Sequence, residues 1–98
     1  MSTIKLSQEA HALPLPWRSK VLGHVAGANV KVLRMDASAY PTEVHSFVEA
    51  LLVVEGQMKL EIAGKTVCVQ AGELFMVPAG TPHAVAAGSQ GTLVIIDQ

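Results

Sequence analysis

The stretch "QMKLEIAGKTVCVQAGE", residues 57–73, constrains the fold more than any other part of the chain. Met58, Leu60 and Ile62 alternate with Gln57, Lys59 and Glu61. A period of two is the mark of a strand with one face buried. Gly64-Lys65 interrupts the run and "KTVCVQ" resumes it, so the two segments read as a hairpin. "AGE" at 71–73 is a further turn, and "LFMVP" a strand that Pro78 stops.

The same texture continues on both sides. "NVKVLRMD", "EVHSFVEALLVVEG" and "TLVIID" are rich in β-branched and aliphatic residues. The "ALLVV" run has lost its alternation, which implies that both faces are covered. Short strands at about ten-residue spacing with Gly or Pro turns predict an all-β sandwich or barrel. "LSQEAHAL" predicts a turn or so of helix near the N-terminus. Met35, Met58 and Met76 are expected in the core, and Cys68, between Val67 and Val69, is expected as a small apolar filler. Arg34, His11 and His24 are expected at the surface and Tyr40 packed in a turn.

Composition bounds the function. Ninety-eight residues suit one core. Half of them are hydrophobic and 15% charged, the balance of a globular chain. A net charge of −1 without a basic patch argues against nucleic acid, and four aromatic residues are too few for a base-stacking platform. No apolar run reaches membrane-spanning length, and "MSTIKLSQEAH" has no signal-peptide core, so a cytoplasmic location is expected and no membrane partner. With Cys68 the lone cysteine, any metal must be held by His, Asp or Glu.

Three side chains are out of place on this map. His45 sits in an apolar β run, Glu49 immediately precedes "ALLVV", and His83 opens a strand after "PAGTP". Glu43, two residues before His45, is expected on the same face of the same strand. Charges beside buried runs are costly unless paired or coordinated, and imidazole and carboxylate are ligands for divalent transition metals.

These residues fall into a family pattern. "EVHSFVEALLVVEG" resembles the first cupin motif, with His45 at its second histidine, Glu49 at its glutamate and Gly56 at its glycine. "GELFMVPAGTPH" is similar to the second, with Gly72, Pro78, Gly80 and His83 in register; Ala87 stands where an asparagine is usual. The resemblance implies an antiparallel jelly-roll barrel, a double-stranded β-helix. Residues 1–98 would form a single cupin domain, with 1–27 a peripheral strand or loop and 28–98 the barrel core. It also implies a homodimer, with the outer faces of "ALLVV" and "TLVIID" against the second copy. The implied metal ligands are His45, Glu49 and His83, holding Fe, Mn, Ni or Zn.

The first-motif histidine position holds Glu43. Either Glu43 is a fourth ligand, or it stays off the metal and is a candidate general base beside a two-histidine, one-carboxylate set. Met58, Leu60, Val67, Val69, Phe75 and Val77 are expected to line the barrel. Three functions fit: a metal-dependent enzyme of oxygenase, isomerase or lyase type acting on a small organic molecule; a non-catalytic small-molecule binding or sensor module; or an interaction protein with a filled barrel.

Overall fold

The alternation in residues 57–62 becomes the second half of a 14-residue strand, β4 (Glu49–Ile62), on which the other elements are organised. The computed structural model describes residues 2–98. Before β4 come helix α1 (Leu6–His11) and strands β1 (Lys20–Val25), β2 (Ala28–Met35) and β3 (Tyr40–Glu43). After it come β5 (Lys65–Gln70), β6 (Leu74–Val77), β7 (His83–Val85) and β8 (Gln90–Asp97). The hairpin at Gly64 and the turn at 71–73 fall where the sequence predicts them.

Every strand pair is antiparallel, in the order β1-β2-β8-β4-β7-β3, with β5 and β6 also pairing to β4. The long strand therefore serves two wings. Its first half lies between β6 and β8, its second half between β5 and β7. A register shift between Val53 and Glu55 marks the bend where it passes from one wing to the other. Gly56 and Gly91 meet at that bend, both at positive φ. A Cβ on Gly56 would collide with the Gln90 carbonyl oxygen, and one on Gly91 with that of Glu55. Only glycine lets the two backbones cross so closely.

Curling the sheet separates its two faces. The inner face collects Leu33, Met35, Leu51, Val53, Met58, Leu60, Val69 and Leu93 into the main core. Part of the outer face of the first wing is covered by α1, whose Ala10 is fully buried with Val32 and Val94, next to Leu52 and Val54. The loss of alternation in "ALLVV" has this cause: Leu51 and Val53 face inward, Leu52 and Val54 face the helix. Part of the outer surface expected to meet a second copy is thus taken by the chain's own helix.

Four sequence expectations give way here. Arg34 is half-buried, its guanidinium donating to the carbonyls of Ala10 and Leu13 at 3.0 and 2.8 Å, and so ties down the end of α1. Met76 is 53% exposed, because β6 pairs on one side only and its outer face is uncovered. Cys68 is exposed for the same reason on β5, with Sγ 3.8 Å from Gln57 Oε1. Residues 44–48 leave β3 as a loop rather than continuing a strand. Among the described residues no helix is long and apolar enough to cross a membrane.

The glycine crossing yields a paired test. Gly91→Ala should lower unfolding free energy by about 3 kcal/mol or more, through a backbone clash that no rotamer relieves. Gly23→Ala, with open space around it, should change stability by under about 1 kcal/mol. Urea titration of the two variants beside the wild type measures both.

Candidate metal centre

Each of the four singled-out side chains arrives by a separate route. Glu49 opens β4 opposite Val77 of β6. His83 opens β7, where strand pairing sets it against Ile62 of β4 and against Glu43 of β3. Glu43 and His83 are therefore neighbours by register, across 40 residues of sequence. His45 comes from the loop after β3. Its carbonyl accepts the Gly80 N–H at 2.7 Å, and this bond ties the first-motif loop to the second-motif turn. Gly80 makes it from positive φ, the conformation expected of that glycine. The His45 ring stacks on Phe47 at 4.9 Å between centroids.

The convergence is tight. His83 Nε2 lies 3.2 Å from Glu49 Oε1; His45 Nε2 lies 3.3 Å from Glu43 Oε2 and 3.7 Å from Glu49 Oε2. Glu43, His45 and His83 each offer a ligand atom within 4.8 Å of the other two. Glu49 and His83 are each 7% exposed, whereas Glu43 reaches the opening. Glu43 and His45 stay together although the strand ends between them, because the loop folds back under the Gly80 hydrogen bond.

Hydrogen-bond bookkeeping shows what this cluster lacks. The Thr81 carbonyl, 3.0 Å from His83 Nδ1, can only accept, so Nδ1 carries a hydrogen. In the neutral ring Nε2 then presents a lone pair to the Glu49 carboxylate, an acceptor facing an acceptor. His45 Nε2 is buried with no hydrogen-bond partner at all. Two imidazole nitrogens and two carboxylates thus converge with a shortage of positive charge between them. A cation cures all of these contacts at once, and a ring nitrogen anchored on a backbone carbonyl is the usual support of a metal-binding histidine. The donor set fits a divalent transition ion.

Beside the cluster is a cavity of about 200 Å³, room for a small molecule only. Met58 and Leu60 line it as expected; Val67, Val69, Phe75 and Val77 instead belong to the main core behind it. Sequence reasoning missed several of its walls, Trp17, Lys31 and Asp97 among them, and assigned Tyr40 to turn packing. The Tyr40 ring packs against Trp17 in a tilted arrangement, 5.4 Å between centroids. Trp17 takes a positive φ of 64° and its indole donates to Asp36 Oδ1 at 2.7 Å. That bond, with the Ser38 backbone N–H, holds the Asp36 carboxyl below its ordinary range. Partial burial and then the Glu43 carboxylate raise the Tyr40 phenol above its ordinary value.

The profile of the Cupin domain family matches residues 32–98. No curated protein matches the chain. Among solved structures, a cupin-2 domain containing protein from Shewanella frigidimarina superposes with a TM-score of 0.87 at 20% identity, covering 96% of this chain and 92% of that one. A Neisseria meningitidis protein gives 0.83 at 25% identity, with 98% of each chain covered. A Streptococcus pyogenes protein of unknown function gives 0.79 at 20% identity, covering 99% of this chain and 87% of that one.

Tyr40 is the chain's one tyrosine, so its ionisation is readable alone. In metal-free protein, tyrosinate absorbance should rise with a midpoint above about 10, and Glu43→Gln should lower that midpoint. A raised phenol in the folded state adds its stability below the unfolded value and loses it as pH climbs through the folded one. Alkaline unfolding should therefore be slightly delayed in Tyr40→Phe.

Proposed function

The chain belongs to the cupin domain family, and we propose that it is a small metal-binding cupin that receives a small organic molecule in its barrel. His45, His83, Glu49 and Glu43 would hold a divalent transition ion. The observation that carries this is the convergence of two imidazole nitrogens and two carboxylates, above all the buried His45 Nε2, which has no hydrogen-bond partner. A bound ion would supply Lewis acidity to a ligand oxygen. The chain's own residues supply the rest. Leu51, Leu60 and Leu93 give a dry wall, and the Trp17–Tyr40 pair narrows the space the ligand enters. With Glu43 coordinating, two carboxylates neutralise a divalent ion, which distinguishes this centre electrostatically from a three-histidine one.

A non-catalytic binding module is the second reading, and Glu43 in place of the first histidine favours it. The two diverge on turnover: a module binds metal and ligand but neither consumes oxygen nor converts any member of a substrate panel. We also propose a homodimer. Leu74 and Met76 on β6 and Ile96 on β8 leave an apolar strip on the outer face, 55%, 53% and 40% exposed. Light scattering should then give twice the 10.3 kDa chain mass, and a monomer would refute the pairing.

Protein purified without a histidine tag should carry about one transition metal per chain. His83→Ala should weaken metal binding by more than about 100-fold, since disturbing even the supporting groups of such ligands costs 10–100-fold. Absence of stoichiometric metal in the wild type, or unchanged uptake by His83→Ala, would refute the metal reading.

A further inference from the structure

Strand β2 carries Lys31, Leu33 and Met35 on its inner face, and the latter two are core. A lysine at the third inward position of a barrel this small is costly without a purpose. Its ammonium lies 2.6 Å from Asp97 Oδ2, and the other Asp97 oxygen accepts the Asn29 amide at 3.1 Å. Asp97 is 7% exposed and Lys31 22%. Both line the cavity that borders the histidine–glutamate cluster. Lys31 is the one lysine or arginine among the lining residues.

Register fixes where this pair stands. Ala50 pairs with Ile96 and Ile96 with Val30, so Glu49, Asp97 and Asn29 occupy one row across β4, β8 and β2. Lys31 lies on the next inward position of β2, leaning back over Asp97. Two strand spacings, about 10 Å, separate the β4 and β2 axes. The cluster that begins with Glu49 and the ammonium of Lys31 thus border the same small space. An ammonium has three hydrogens, and among the described residues Asp97 is its one ion-pair partner. Asp97 aims the group without saturating it.

We propose that Lys31 is the anion-recognition residue of the cavity and that the ligand is a small carboxylic acid, its carboxylate on Lys31 and its other polar end toward the metal cluster. The last clause rests on the metal reading above; the carboxylate on Lys31 does not. A carboxylate suits one point charge with two spare hydrogens, whereas a phosphate would call for more donors than this wall holds. Asp97 is a positioning residue, and it also competes with the ligand for the ammonium.

That competition separates recognition from mere packing. Glycolate is the probe and glycolamide its neutral control, followed by calorimetry and by fluorescence of Trp17, the chain's one tryptophan, which lines the same cavity. Wild type should bind glycolate saturably and glycolamide at least about tenfold more weakly, the worth of a charge-assisted hydrogen bond. Asp97→Asn should tighten glycolate severalfold, a gain that a structural ion pair would not give. The double variant Lys31→Met/Asp97→Asn removes the pair without leaving a buried charge behind, so it keeps the fold. It should lose glycolate binding by about tenfold or more while taking up metal like the wild type. Equal binding of glycolamide, no glycolate binding by the wild type, or undiminished binding by the double variant would overturn the assignment. Running each titration with and without added zinc separates the two claims: a protein that takes up no zinc yet binds glycolate through Lys31 refutes the metal centre alone.

Discussion

Two imidazole nitrogens and two carboxylates point at one another inside this barrel, and one of those nitrogens, His45 Nε2, is buried without a hydrogen-bond partner. Lone pairs packed at 3.2–3.7 Å repel unless positive charge lies among them. Folding nevertheless brings them there, because each is delivered by an element whose position is fixed for other reasons. Glu49 starts the central strand, His83 is paired by backbone hydrogen bonds into β7, and the His45 loop is clamped by Gly80. The stability of the sheet thus holds together a cluster that would not assemble on its own.

The central strand makes this possible mechanically. β4 lies in both wings, so its bend at Gly56 decides how far the wings close over each other. The cluster forms at the end of the wing that β6 and β8 build, while Glu43 and His83 come from the other. The small cavity lies at this cluster, lined by Trp17 and Tyr40, by Lys31 and Asp97, and by both histidines. Apolar packing on both faces of β4 stiffens this hinge region. The main core fills the inside and α1 covers part of the outside.

Much of this was legible from local pattern. The period of two located β4 and β5, the glycines located their turns, and two motif-like spacings singled out the residues that converge. Reasoning from pattern failed where burial depends on which neighbour covers a face. Met76 and Cys68 sit at good strand positions but on strands whose outer faces are bare. Arg34 looked like a surface residue because nothing in its neighbourhood foretells a helix end 21–24 residues earlier in need of a donor. Lys31 and Asp97 are 66 positions apart, and each alone reads as an ordinary charge on a strand.

The sequence by itself determined that the chain is a β-structure with turns at Gly64 and 71–73, and which His and Glu residues stand apart from their apolar surroundings. Those are local matters, set by steric preference and by the two-residue repeat of side chains along a strand. Only the tertiary structure decided that Glu43 lies beside His83, that His45 Nε2 ends buried without a hydrogen-bond partner, and that a lysine from β2 lines the same cavity as the cluster. Those facts depend on strand order and on the curl of the sheet, which bring together side chains that the chain itself keeps tens of residues apart.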